Sequence, residues 1–345
     1  MLTGCSEAVS AIPAVSAASS PATSPPASQP ATVSPAAQAV GTVLRSVRIS
    51  PANAIDAAAA GAGALYVALQ QGDGGSRWTI ERADLATGRI TKGTVTLPFL
   101  STLTLGPHGL YVTTSVIDKY GRKPDTILRL NATTLRVAAR RSIDGGALWD
   151  GAVKVAAHGD LLAEADGGGD VRLLDPVTLA TRTSARVLST GDLQAGDGIE
   201  SPTIFGGRLW VLARHDLISF DLGTLAVRSE QPQGPFSQIV ETQDGLELVG
   251  TGVASVTNRG AVVPKPTVPG VDGEGSQRAF GLQSTVLEQT NGVAPTILIR
   301  SLDGRVLRAM SLDHGTGLLL AATSTTAWVE GVPGHVGAVT ALRLG

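Results

Sequence analysis

The sequence predicts an all-β fold, a seven-bladed β-propeller closed by an N-terminal strand, on three observations. An Asp or Asn recurs at Asp84, Asn131, Asp175, Asp221, Asn258 and Asp303, at intervals of 47, 44, 46, 37 and 45 residues. That is about the length of one four-stranded blade. A short apolar strand recurs in step with this column. At the C-terminus the last unit supplies three strands, while Val43 to Ile49 precedes the first unit without a partner of its own.

Composition narrows the class. The chain has 345 residues with 27 Lys and Arg against 29 Asp and Glu, a formal net charge of −2, so it offers no basic field for a nucleic acid. The one cysteine excludes an internal disulfide, and a structural zinc site would need a Cys/His cluster that the sequence lacks. The longest apolar run, Ala57 to Leu69, is interrupted by glycine and shorter than the roughly 20 residues of a membrane-spanning helix. A hydrophobic content of 43% is enough for a large core and a soluble body.

Met1-Leu2-Thr3-Gly4-Cys5 looks like a bacterial lipobox, in which a small apolar tripeptide precedes a cysteine that becomes lipidated. Only Met1 precedes Leu2, so the charged and apolar segments of a secretion signal are not in this sequence. The competing reading of Cys5 is a free thiol in a tail. Residues 6–40 carry Pro13, Pro21, Pro25, Pro26, Pro30 and Pro35 among Ser, Ala and Thr, with Glu7 as their one charge. Such a tract cannot bury enough apolar surface to offset its ordering entropy, and it reads as a disordered tether. The expected organisation is therefore residues 1–5 for a lipid anchor, 6–40 for the linker and 41–345 for the propeller.

Within the propeller the second strand reads Ala64-Leu65-Tyr66-Val67, Gly109-Leu110-Tyr111-Val112, Asp160-Leu161-Leu162-Ala163, Arg208-Leu209-Trp210-Val211 and Gly245-Leu246-Glu247-Leu248. Fainter copies lie near Thr285-Val286-Leu287 and Ala327-Trp328-Val329. The column residue opens a repeated turn, as in Asp84-Leu85-Ala86-Thr87-Gly88 and Asp175-Pro176-Val177-Thr178-Leu179. Asp and Asn side chains accept hydrogen bonds from backbone two residues on, so the column closes hairpins and does not mark catalytic carboxylates. Small residues such as Ala57-Ala58-Ala59 and Val155-Ala156-Ala157 suit first strands that converge on a narrow channel. Using Val43 to Ile49 as the missing outer strand closes the ring and gives seven blades. The weaker fifth and sixth units leave six or eight open.

The turn series, above all Ile80-Glu81-Arg82-Ala83-Asp84-Leu85-Ala86-Thr87-Gly88-Arg89-Ile90, resembles the YVTN and quinoprotein-like propeller superfamily over about 300 residues. The resemblance implies a secreted or envelope-anchored propeller. Enzymes of the quinoprotein branch place a tryptophan shortly after the Asp-x-x-Thr-Gly turn. Trp78, Trp149, Trp210 and Trp328 lie elsewhere, so a pyrroloquinoline quinone cofactor is not expected.

A propeller's ligand site belongs at one channel mouth, built from loops that join successive blades and loops between second and third strands. Candidates there are Asp150, Asp197, Glu200, Asp272 and Glu274, beside the acidic turns Gly72-Asp73-Gly74-Gly75 and Asp166-Gly167-Gly168-Gly169-Asp170. Their oxygens suit Ca²⁺, although no Asp-x-Asp-x-Asp spacing occurs. His314 and His335 map to the same rim, with His215, whereas His108 and His158 fall in inner turns on the other. The loop from Ser115 to Asp125 carries Asp118, Lys119, Tyr120, Arg122 and Lys123, a composition typical of protein contacts. No nucleophile elbow, phosphate-binding glycine loop or His-Glu-x-x-His helix occurs. The expected function is a monomeric, lipid-anchored, extracytoplasmic scaffold for an envelope protein or small ligand, with no required cofactor. The alternative is a metal-assisted lyase or lactonase at the channel mouth.

Overall fold

A computed structural model describes residues 43–50, 54–61, 63–71, 77–97, 102–118, 121–143, 153–189, 191–192, 198–213, 216–232, 236–243, 245–250, 253–257, 259–265, 276–282, 285–290, 296–303, 305–311, 319–323, 325–332 and 335–344. Side chains of residues 115–124 and of His335 are outside that description, as is everything from Met1 to residue 42. Among the described residues the chain forms seven antiparallel four-stranded sheets arranged as the blades of a ring. No helix among them is long and apolar enough to cross a membrane.

Strand β1 (Val43–Arg48) is first in sequence and last in the ring. Blade 1 is β2 (Ala54–Gly61), β3 (Ala64–Gln71), β4 (Arg77–Asp84) and β5 (Ile90–Leu97). Blade 2 is β6 (Thr102–Gly106), β7 (Gly109–Asp118), β8 (Gly121–Leu130) and β9 (Val137–Ile143), and blade 3 is β10 (Lys154–His158), β11 (Leu161–Ala165), β12 (Asp170–Leu174) and β13 (Thr181–Arg186). Blade 4 holds β14 (Ile199–Phe205), β15 (Arg208–Ala213), β16 (Asp216–Asp221) and β17 (Val227–Pro232). Blade 5 holds β18 (Phe236–Glu241), β19 (Leu246–Gly250), β20 (Val253–Val256) and β21 (Val262–Pro264). Blade 6 is β22 (Ser276–Gly281), β23 (Thr285–Thr290), β24 (Thr296–Ser301) and β25 (Val306–Ser311), and blade 7 begins with β26 (Leu319–Thr323), β27 (Thr326–Val332) and β28 (His335–Arg343).

The fourth strand of blade 7 is β1, which pairs antiparallel with β28 from Val43 opposite Leu342 to Arg48 opposite Ala338. The ring therefore closes through backbone hydrogen bonds between the two ends of the domain. The first strands β2, β6, β10, β14, β18, β22 and β26 each lie against the next, and β26 lies against β2. They line the channel. All begin at one rim, here the upper, which also carries the links between second and third strands.

Buried apolar side chains fall into seven clusters, one per seam between neighbouring blades. Each sheet contributes to the seam on either side, as expected for sheets stacked face to face. In blades 2, 3 and 4 the turn after the third strand supplies a device that the seam depends on. Asp221 Oδ1 accepts the amides of Gly223 at 2.9 Å and Thr224 at 3.1 Å, and Asp84, Asn131 and Asp175 do the same in their turns. The fifth residue of the turn then takes a left-handed backbone: φ is 56° at Leu135, 65° at Leu179 and 55° at Leu225. That conformation costs a non-glycine residue roughly 1–2 kcal/mol. All three leucines are buried in the seam with the preceding blade, and full burial of a leucine contributes about 1.5–3 kcal/mol, so packing outweighs strain. Two tyrosines latch the same turns from the preceding blade. Tyr66 donates its hydroxyl to the Ala132 carbonyl at 3.0 Å, and Tyr111 donates to the Pro176 carbonyl at 2.8 Å. Burial pushes the Tyr111 hydroxyl up to about 12.

Three details differ from the sequence reading. Blade 3 enters its second strand one residue later, because His158 pairs with Leu161 as Gly106 pairs with Gly109. Ala163, not Leu162, thus stands where Tyr66 and Tyr111 stand. In blade 5 the column position belongs to Thr257, whose amide bonds the Ala261 carbonyl; Asn258 is outside the described residues. In blade 6 it belongs to Ser301, whose amide bonds the Arg305 carbonyl two residues either side of Asp303.

Leu179→Ala should lower the unfolding free energy by about 2–4 kcal/mol in urea titration, the usual range for a buried leucine truncation. Leu179→Gly relieves the positive φ yet should still destabilise, because burial dominates. The Asp221 carboxyl is held down to about 2 by Arg228, at 2.5 Å, and by its turn amides. A lowered folded value means stability present above the ordinary aspartate range and lost as pH falls towards 2. Asp221→Asn keeps the turn, as Asn131 does in blade 2, and should flatten the pH dependence of stability between about 4 and 2.

Candidate functional site

The upper rim of the channel is where sequence reasoning placed a ligand. Lys154 opens β10 and Glu200 is the second residue of β14, and their side chains form an ion pair across the seam of blades 3 and 4. Lys154 keeps a quarter of its side-chain exposure, and burial holds its ammonium down to about 8 despite the carboxylate. On the far side of the rim the Asp56 carboxylate accepts the indole N–H of Trp78. Arg278 of β22 reaches from blade 6 across blade 7, donating to the carbonyls of Leu319 at 3.3 Å and Asp56 at 3.2 Å. Glu330 of β27 accepts the Ile55 amide, with burial pushing its carboxyl up and Arg278 pulling it down. Among the described residues these acids and bases are therefore committed to one another and to backbone, joining blades 6, 7 and 1 and blades 3 and 4.

Of the other predicted rim residues, Asp150, Asp197, Asp272, Glu274, His314 and His215 lie outside the described residues, as does the turn 72–76. His335 opens β28 at the same rim. Among the described residues no three His, Cys, Asp or Glu side chains converge as a metal site would require.

The acidic turn of blade 3, expected as a flexible surface loop, is a buried tight turn. Asp166 is 3% exposed, its carbonyl accepts the Gly169 amide at 3.1 Å and its side chain the Asp170 amide at 2.9 Å. The Arg172 guanidinium sits among Glu164, Asp166 and Asp170, and Arg186 reaches Asp170 at 3.2 Å, so arginines of this chain offset the cluster's charge. Glu164 is fully buried, and Arg141 reaches it from blade 2 at 3.3 Å. Burial pushes the Glu164 carboxyl up, and the two arginines oppose that shift. Sequence reasoning missed this cluster because one of its members arrives from the neighbouring blade.

At the lower rim His108 contacts Asp160 at 2.8 Å, which ties the inner turns of blades 2 and 3. His158, the last residue of β10 and not a turn residue, lies 3.4 Å from Glu241 at the end of β18. That contact joins blades 3 and 5 past blade 4.

The segment Ser115 to Asp125, expected as a loop, is a β-hairpin. β7 and β8 are each ten residues long and pair outward through Val116–Lys123, Ile117–Arg122 and Asp118–Gly121. Their neighbours stop short: β6 reaches only Thr113, and β9 reaches only Asp125. The outer part is a two-stranded ribbon that continues beyond the pairing of β6 and β9, with neither edge paired among the described residues. Asp118, Arg122 and Lys123 are on it; Lys119 and Tyr120 lie outside the described residues.

Among the solved structures that the chain is similar to are these two. BamB from Moraxella catarrhalis matches at 15% identity over 88% of this chain and 99% of its own, with a TM-score of 0.54. A chain in the crystal structure of a Mitotic Checkpoint Complex matches at 10% identity over 88% of this chain and 96% of its own, with a TM-score of 0.62. The likeness shows the fold. No protein-family model matches the sequence, and no curated protein matches it. The fold hosts many activities, so function has to be argued from the site.

Between about 8 and the ordinary lysine value of 10.5, the unfolded chain holds the Lys154 proton and the folded chain does not. Stability should rise with pH across that window. Lys154→Met should remove the rise, measured as the change in urea midpoint from pH 8 to 10.

Proposed function

We propose that this protein is an extracytoplasmic scaffold, held to a bacterial membrane through lipidated Cys5 and the 6–40 tether, that binds an envelope protein through the β7–β8 hairpin. The hairpin carries the reading. A ribbon of alternating backbone donors and acceptors beyond the sheet offers edges on which a partner strand can add, the usual basis of β-augmentation. The segment carries Asp118, Lys119, Tyr120, Arg122 and Lys123. Aromatic and arginine residues dominate the energetics of protein contacts. The ring behind it is a rigid mount, because each blade is packed on both faces. Among the described residues the charged groups of the channel rim, Lys154 with Glu200 and Arg278 with backbone, join blades, as in a scaffold.

Photo-cross-linking residues introduced at Ile117 and Arg122, in the protein produced from its own gene in its native cell, should yield one discrete adduct. The same residue at His158 on the lower rim should not. Cross-linking from both rims alike, or from neither, would overturn the hairpin's role. Growth with an alkyne fatty acid should label the protein, and Cys5→Ser should abolish the label and release the protein from the membrane fraction. An unlabelled wild-type chain would refute the anchor.

A further inference from the structure

The seam between blades 4 and 5 lacks the leucine plug of the three seams before it. The turn of blade 5 runs from Thr257 to Ala261, one residue shorter than Asp221 to Ala226, and places Gly260 (φ 90°) where Leu225 would stand. A Cβ on Gly260 would lie 2.6 Å from Ser229 Oγ and 3.6 Å from the Trp210 ring, so the position admits no side chain. Trp210 enters the seam instead, 4% exposed, with its indole N–H bonded to the Phe205 carbonyl at 3.2 Å. What remains is a pocket of about 370 Å³ opening on the lower rim, with Phe205, Leu246 and Val256 as apolar walls and Thr257 at its edge. The Thr257 hydroxyl accepts the Ala261 amide at 3.0 Å, which leaves its proton for a ligand acceptor.

Among the described residues that line this pocket, one is charged. The Arg208 guanidinium lies 5.7 Å from the centroid of the Trp210 ring, within the ~6 Å range of cation–π contact. Among the described residues it has no carboxylate partner, unlike Arg172, Arg182 and Arg228. The contact holds the guanidinium over the ring and leaves its fork of donors for a planar anion, which a carboxylate matches with two parallel bonds. A single cation among apolar walls suits a monoanion with an apolar group attached. A phosphate dianion would bring more charge than one guanidinium offsets. The volume is near the lower bound of about 300 Å³ for ligand pockets, room for one bulky residue, and the open side lets a chain continue outward.

We propose that this pocket binds the C-terminal residue of a polypeptide ending in a bulky apolar side chain, with the side chain against Trp210 and the terminal carboxylate on Arg208. This does not rest on the hairpin reading, since the pocket opens on the opposite rim.

The test is calorimetric titration of the full chain with acetyl-Gly-Gly-Ala-Phe, with the same peptide as its C-terminal amide, and with N-acetylphenylalanine. The acid peptide should bind, and the amide should bind at least ten-fold more weakly. Arg208→Met keeps the aliphatic stem and should impose the same ten-fold loss on the acid while leaving the amide unchanged. Val256→Phe fills the pocket and should abolish binding of both peptides. Equal affinity for acid and amide, or an Arg208→Met chain that binds the acid as before, would overturn the carboxylate assignment. Binding of N-acetylphenylalanine without the tetrapeptide would overturn the polypeptide source, and silence with all three probes at millimolar concentration would overturn the site.

Discussion

Everything in this fold depends on the antiparallel pairing of β1 with β28. Each blade is apolar on both faces, so no blade can stand alone and no seam can be left open. A linear stack of seven such sheets would expose one apolar face at each end. Val47 opposite Val339 brings the N-terminal strand into the last sheet, and Val47 and Ile49 complete the cluster that Trp328, Leu320 and Leu65 form between blades 7 and 1. Because the closing strand runs on into blade 1, the ladder with β28 ties blade 7 to blade 1 through backbone as well as through their packed faces. A lipid anchor upstream of β1 would pull on the strand that closes the ring. An anchored propeller therefore needs the closing ladder to hold against its own tether.

The seams are not equivalent, and the differences fall in an order along the chain. Seams ahead of blades 2, 3 and 4 each have a buried leucine on a left-handed backbone, and the first two also have a tyrosine bonded to the turn. The seam between blades 5 and 6 has three fully buried apolar residues among those described, Val240, Val249 and Val286. In the position of Tyr66, blade 5 has Glu247, buried against Lys265 and Ser255, with burial pushing its carboxyl up and Lys265 drawing it down. A buried ion pair of this kind adds little net stability over an apolar pair of the same shape. Gly281 lets β22 press against the Glu241 backbone where a Cβ would overlap its carbonyl oxygen. Close backbone approach thus replaces side-chain volume in this half of the ring.

The architecture was legible because its signal lies in turns. Asp84, Asn131, Asp175 and Asp221 must be Asp or Asn to satisfy amides two and three residues on, and a repeat of that requirement every 45 residues or so is visible without a structure. The role of Leu135, Leu179 and Leu225 was not visible, because an apolar residue after a turn reads the same whether it is solvated or driven into the next blade. Leu161-Leu162 concealed the one-residue offset in blade 3, since either leucine fits an apolar strand. The cluster around Glu164 could not be read because Arg141 comes from another sheet. The hairpin was read as a loop because its polar composition reports solvent exposure, which a ribbon standing free of its sheet shares with a loop. The shortened turn of blade 5, Thr257 to Ala261, left no trace in the spacing of the column, and the pocket follows from what that turn omits.

A missing plug explains why binding would concentrate at a seam and not on the axis. On the axis, seven first strands converge, and side chains long enough to reach a ligand there also reach one another, as Lys154 does Glu200 and Arg278 does the backbone of blades 7 and 1. Among the described residues these groups are engaged in holding the ring. A seam offers depth without that competition wherever the turn fails to fill it, because the walls are set by two whole sheets and do not collapse around a void of several side-chain volumes. Whatever occupies the seam between blades 4 and 5 also restores contacts that the leucine would have made. Ligand binding and ring stability are therefore coupled there by mass action, a saturating ligand raising the unfolding free energy by about 2.7 kcal/mol at one hundred times its dissociation constant. A partner that binds only the folded hairpin raises stability by the same mass action, but without filling a seam. The two ends of this propeller differ in kind: one presents backbone edges that can change partners without cost to the ring, and the other presents a cavity whose filling is part of the ring's own packing.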